Sequence, residues 1–149
     1  MPQPPKPARL LGFLGIAPFF VCAVLVWSGN ENFHGAATKG LIGYGAVILS
    51  FIGGAHWGFA SRILSEGNIA AGRLLILSVV PSLVGWISIL IPPAWSFALL
   101  ALAFASVLML DKWAVSQQLT PDWWVSLRLP LSLTVAILFS ITLAIAFFE

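Results

Sequence analysis

Five apolar runs of membrane-crossing length constrain this chain more than any other feature. A helix rises ~1.5 Å per residue and the hydrocarbon core is ~30 Å thick, so ~17–25 mainly apolar residues make one span. The runs are Leu10–Trp27, Gly40–Ala60, Leu74–Ile91, Trp95–Leu110 and Leu129–Phe148. The fourth is the shortest, and helix extends it through Lys112 and Trp113, whose long side chains snorkel. Composition agrees: 60% of the 149 residues are hydrophobic and 8% are charged, whereas soluble domains run at ~45–50% and ~25%. So little polar surface excludes a water-soluble domain and a disordered chain. The expected fold is all-α: an integral membrane bundle of five transmembrane helices. Residues 10–149 form its single domain, and residues 1–9 a Pro-rich cytoplasmic tail.

The connections order the spans. Pro92–Pro93–Ala94 leaves room only for a tight hairpin, so spans three and four are antiparallel neighbours. Lys6, Arg9, Arg62, Arg73, Lys112 and Arg128 fall on one side of the membrane, and only Lys39 on the other. Short loops rich in Lys and Arg stay cytoplasmic, which puts the N-terminus inside and the C-terminus outside. Basic residues this scattered make no nucleic-acid footprint. The first run is longer than the ~7–15 apolar residues of a signal peptide, and Val26–Trp27–Ser28–Gly29 is no cleavage site. The tail lacks the Arg- and Ser-rich pattern of a mitochondrial presequence.

Only the 111–128 connection has structure of its own. Thr120–Pro121–Asp122 supplies an N-cap, a proline at the first helical position and an acid in the first turn. A short interfacial helix is expected there, before the fifth span, with Pro130 either kinking it into that span or marking a fresh start. Trp123 and Trp124, with Trp57 and Trp113, read as an aromatic belt at headgroup depth.

Span two is the most unusual segment. Ser50, Gly54 and Gly58 recur at four-residue steps, and Gly43 and Ser61 extend the same stripe. Small residues so spaced let another helix approach closely, either within the bundle or from a second copy. Pro81 and Gly85, with Ser78, Ser82 and Ser88, mark a face of span three that looks into the bundle. His56 points away from the stripe, near the inner boundary. An ionisable group at that depth is a structural hydrogen-bonding residue or one that serves a ligand, a quinone or a proton. Asp111, ending an apolar run, needs a cation, which Arg62 or Arg128 supplies. Together His56, Arg62, Asp111 and Arg128 form an inner rim. It either locks helix ends or receives an anionic lipid headgroup, a quinone head or a similar group.

Cofactor chemistry finds little footing. His34 lies too far from His56 for bis-histidine haem ligation, so no cofactor or metal is expected, with a single-His haem or a quinone left open. Cys22, the one cysteine, sits in an apolar run and reads as a structural thiol. The chain has no HExxH, Gly-x-Ser-x-Gly or P-loop, and no pair of intramembrane carboxylates. Five spans do not divide into two halves of an inverted repeat, although a homodimer supplies the second half.

Several residues carry a resemblance. In order they are Tyr44, Ile48–Leu–Ser–Phe–Ile–Gly–Gly–Ala–His–Trp–Gly58, Pro81–Ser–Leu–Val–Gly–Trp86, Asp111 and Pro121–x–Trp–x–x–x–Leu–Arg128. From about Leu11 to Leu133 the chain resembles an uncharacterised family of small multi-pass membrane proteins that includes mitochondrial transmembrane protein 69 and many proteobacterial members. The resemblance implies a bacterial inner-membrane protein, assigns no activity, and singles out His56, Trp57, Asp111 and Arg128. Trp124 stands where the resemblance leads one to expect tyrosine.

Three functions fit these observations. The leading expectation is an accessory or assembly subunit of a larger inner-membrane complex, respiratory or photosynthetic, acting through helix packing. A small-molecule, lipid or quinone binder or transporter, alone or as a homodimer, with its site at the cytoplasmic rim, comes second. An enzyme using His56 as general base comes last. The expected partners are membrane lipids and another membrane protein or a second copy.

Overall fold

A computed structural model describes residues 3–64 and 67–148. The elements are α1 (Lys6–Leu14), α2 (Ala17–Trp27), α3 (Glu31–Leu64), α4 (Ile69–Leu77), α5 (Val80–Leu90), α6 (Pro93–Ser116) and α7 (Trp124–Phe148). They make five spans, because α1 and α2 share one, as do α4 and α5; each is long and apolar enough to cross a membrane. No strand occurs among the described residues.

The helices begin before the apolar runs do. Hydropathy marks what lies in hydrocarbon, not where hydrogen bonding starts, so α1 takes in Lys6 to Arg9 of the expected tail and α3 starts at Glu31. Two spans break in the same way. Gly15–Ile16 precedes Pro18, and Ser78–Val79 precedes Pro81. Proline lacks an N–H, and its ring crowds the carbonyl four residues back. The backbone tightens there to i→i−3 bonds, from Ile16 N to Phe13 O at 3.1 Å and from Val79 N to Ile76 O at 3.4 Å. At the first break the Gly15 carbonyl accepts a hydrogen bond from the Tyr44 hydroxyl at 2.9 Å.

Capping sets the remaining ends. The Asn68 side chain accepts from the Ala70 and Ala71 amides at 2.9 and 3.3 Å and starts α4. Pro92–Pro93 opens α6, as the hairpin expectation requires, and the buried Ser96 hydroxyl donates across it to the Ser88 carbonyl at 2.7 Å. At its far end α6 closes in a Schellman turn: Leu119 N donates to Ala114 O and Gln118 N to Val115 O, both at 2.9 Å, with Gln118 at φ 56°.

That closure corrects the expectation of a separate interfacial helix. Residues 120–123 are a bend and a turn in which Trp124 N donates to Pro121 O, and the buried Thr120 hydroxyl caps nothing. Helix then runs unbroken from Trp124 through Pro130 to Phe148. The N-cap pattern fails because Leu119, buried by the Schellman turn, dictates the direction in which the chain leaves α6.

The core is aromatic at its heart. Phe19, Phe104 and Phe139 are fully buried, and the Phe19 ring meets Tyr44, Phe104 and Phe139 edge-on at 4.7, 6.0 and 5.9 Å. On α3, Leu41, Gly45, Leu49, Ile52, His56 and Ala60 form the buried face, at steps of three and four. α6 packs along α7, and α3 packs against α2, α4 and α5. The outer surface carries Phe51, Trp86, Trp95 and Met109, as a lipid-facing surface should.

Candidate binding site at the N-terminal end of the bundle

Because successive spans alternate in direction, the ends of α3 and α6 and the starts of α1, α4 and α7 share one end of the bundle. His56 is placed there by the core face of α3 and Asp111 by the last turns of α6. Trp124 and Arg128, four residues apart, lie on one face of α7. Asp111 is the hub. Its Oδ1 accepts from Trp124 Nε1 at 2.6 Å and stands 2.9 Å from His56 Nε2. Its Oδ2 accepts from Arg128 Nε at 3.3 Å. His56 and Asp111 are wholly buried; Arg128 is 7% exposed and Trp124 9%.

The His56 contact is one of proximity, since neither ring nitrogen has the alignment of a hydrogen bond. The firm donors to the carboxylate are therefore Trp124 and Arg128. Edge-on packing of His56 and Phe59 against the Trp124 ring, at 6.1 and 5.1 Å, fixes the indole. Donor capacity is left over. Arg128 Nη2 is buried without a hydrogen-bond partner, as is the Ser132 hydroxyl one turn further along α7. Unpaired buried donors are costly, and one on a charged group especially so.

Beside this cluster lies a cleft of about 350 Å³, walled by α1, α2, α3 and α7. Leu11, Ile16, Phe51, Ile52, Leu127 and Leu131 give it apolar sides, and Trp123, Trp124 and Arg128 form its polar end. Leu11 and Phe51 are also exposed on the outer surface, so the cleft communicates with the lipid side. The arrangement suits a molecule whose apolar part fills the cleft while an oxygen acceptor meets Arg128. Among the described residues no group of three or more His, Cys, Asp or Glu gathers to hold a metal.

Three of the four expected rim residues meet: His56, Asp111 and Arg128. Arg62 is exposed at the end of α3, and the cation on Asp111 is Arg128. Trp124 departs from the aromatic-belt reading, because it is buried and bonded to Asp111. Its position one turn before a buried arginine on the same helix face was the available signal. Trp57 is exposed, whereas Trp113 and Trp123 are half-buried. His34 lies at the opposite end of α3, ~33 Å from His56 at ~1.5 Å per residue.

The small-residue expectation divides. Pro81 and Gly85 pack inside, where a Cβ on Gly85 would stand 2.9 Å from the Ala46 carbonyl oxygen. By contrast Gly43, Gly54 and Gly58 have nothing within 4 Å of where a Cβ would lie, and Ser50 is exposed. That stripe therefore makes no contact within the bundle. The close approach on α3 falls instead to Gly45, against Phe139 and Leu100, and to Gly53, where a Cβ would collide with the Ser78 carbonyl oxygen.

Residues 4–144 match the family model described as "Protein of unknown function (DUF3429)". Over 88 residues, 58% of this chain and 33% of the relative, the chain is 39% identical to transmembrane protein 69 of Xenopus tropicalis. It is 28% identical to transmembrane protein 69 of Mus musculus over 141 residues, 93% of this chain and 56% of that protein. The chain thus spans about half or less of these relatives' length. No solved structure matches it. With five helices of membrane-spanning character and a family match from the start of α1 into the last turns of α7, this multi-pass membrane protein belongs to the DUF3429 family, which includes transmembrane protein 69.

Proposed function

We propose that this protein is a bacterial inner-membrane binding protein for an amphipathic small molecule, taken from the lipid phase into the cleft between α1, α3 and α7. One observation carries the reading: Arg128, 7% exposed and with Nη2 unpaired, forms the polar end of an otherwise apolar cleft. A cluster that served only to lock helix ends has no use for an adjoining cavity or a spare donor. Its volume of about 350 Å³ falls within the ~300–1,000 Å³ of ordinary ligand pockets.

A second reading keeps the role of accessory or assembly subunit in a larger complex. It is favoured by the outward stripe of Ser50, Gly54 and Gly58, which is open to a helix of another protein.

Native mass spectrometry of the protein, expressed at its natural level and extracted in polymer nanodiscs, separates the two. The binding reading expects a monomer or dimer carrying a discrete small mass. Ala55→Phe, on the cleft wall, removes that mass, and Gly54→Leu, on the outer stripe, leaves it in place. Stoichiometric recovery with a larger complex, abolished by Gly54→Leu and untouched by Ala55→Phe, overturns it in favour of the accessory role.

A further inference from the structure

The polar end of the cleft restricts the charge of its occupant, an inference that rests on the binding reading above. Asp111 contributes one negative charge and Arg128 one positive. Paired through Arg128 Nε and Asp111 Oδ2, the two charges sum to zero. An anionic head placed against Arg128 would add uncompensated negative charge to a mainly apolar cleft, where Asp111 already holds the guanidinium's counter-charge. The exposed cations of α1, Lys6 and Arg9, are not part of the cleft wall. A cationic head fares worse beside an arginine.

Hydrogen-bonding capacity narrows the class further. Arginine has donors and no acceptor, and the Trp124 N–H is already given to Asp111. The polar end thus offers a donor and asks for an oxygen acceptor. We infer that the cleft takes a neutral amphiphile whose head carries a carbonyl oxygen, as an ester or a quinone does. The oxygen rests against the Arg128 guanidinium, and the hydrocarbon chain runs along Leu11, Phe51 and Leu127 toward the lipid.

The test titrates delipidated protein in an uncharged detergent with probes of different head chemistry, reading adduct mass by native mass spectrometry. Methyl stearate and stearate share a chain and differ in head charge at about pH 9, where the carboxyl is ionised; decylubiquinone presents a quinone carbonyl. The expected result is that methyl stearate or decylubiquinone binds at least tenfold more tightly than stearate. Whichever of the two binds more tightly identifies the source of the carbonyl. In Asp111→Leu/Arg128→Met, which removes the donor and its counter-charge together, methyl stearate and decylubiquinone bind at least several-fold more weakly than to the parent, while stearate stays excluded. Stearate binding as tightly as methyl stearate overturns the neutral-head inference and leaves the binding reading standing. Failure of every probe to bind removes the binding reading itself, and the inference with it.

Discussion

Asp111 is wholly buried and receives Trp124 Nε1 at 2.6 Å and Arg128 Nε at 3.3 Å, so its charge has no solvent to fall back on. Removing that charge leaves a buried guanidinium uncompensated, which costs ~3–5 kcal/mol. Asp111→Asn should therefore be among the most destabilising single changes in the chain. Asp111→Leu/Arg128→Met, which removes both ions, should recover most of the loss. Trp124→Phe deletes one hydrogen bond to a charged acceptor and should cost ~1.5–3 kcal/mol. Trp124→Tyr keeps an O–H donor and should cost less. The temperature at which half the protein leaves the monodisperse size-exclusion peak checks the order; equal losses for Phe and Tyr would show that packing, not the donated proton, decides. At this scale the sequence was most readable for charged residues. A carboxylate ending an apolar run demands a cation, which made an arginine partner for Asp111 predictable but left Arg62 and Arg128 as alternatives that only the fold decides. Trp124 was harder to read: it stands one turn before Arg128, but adjacent tryptophans beside a span fit a headgroup belt equally well. Only the chain direction set by the Schellman turn at Gln118 turns this one inward.

Along α3 two neighbouring glycines should behave oppositely. A Cβ on Gly53 meets the Ser78 carbonyl oxygen, a backbone atom at the α4–α5 break that has little freedom to move aside. Gly53→Ala should force α3 and α5 apart and cost ~1–3 kcal/mol. Gly54 has open space around it, so Gly54→Ala should be neutral, or stabilising by up to ~1 kcal/mol through helix propensity. Thermal unfolding of the two variants in the same detergent checks this; a loss at Gly54 comparable to that at Gly53 would place an unseen partner on the outer stripe. The contrast also explains what the sequence concealed. A four-residue spacing of small residues reveals a smooth stripe but not which neighbour it meets. The large residues settle the matter: Leu41, Leu49 and Ile52 must turn inward with His56, and they carry Gly45 and leave Gly54 outside. Hydropathy located all five spans, whereas their ends depended on local bonds such as the Asn68 cap, to which it is blind.

For the molecule as a whole, the least anchored part of the bundle is the wall of its cleft. No residue of α1 is fully buried, and the helix leans on α7 where Gly12 lies against Leu127 and Leu131. It joins the body through the Gly15–Ile16 break, whose free carbonyl is held by the Tyr44 hydroxyl at 2.9 Å. The Phe19, Phe104 and Phe139 core begins just beyond the break, so rigidity starts where α1 ends. A cleft that loads from lipid needs one wall that yields at modest cost while the other helices stay packed, and local opening of this kind draws on the least stable segment. Tyr44→Phe isolates the latch, since it removes the hydroxyl and keeps the ring against Phe19. A net hydrogen bond is worth ~1 kcal/mol, equivalent to about a fivefold change in an opening equilibrium. Amide hydrogen exchange in nanodiscs should then show residues 8–16 exchanging several-fold faster in Tyr44→Phe than in the parent, with α6 and α7 unchanged. An acceleration spread evenly over all five spans would mean that Tyr44 supports the whole bundle, and α1 would no longer stand apart as the movable wall.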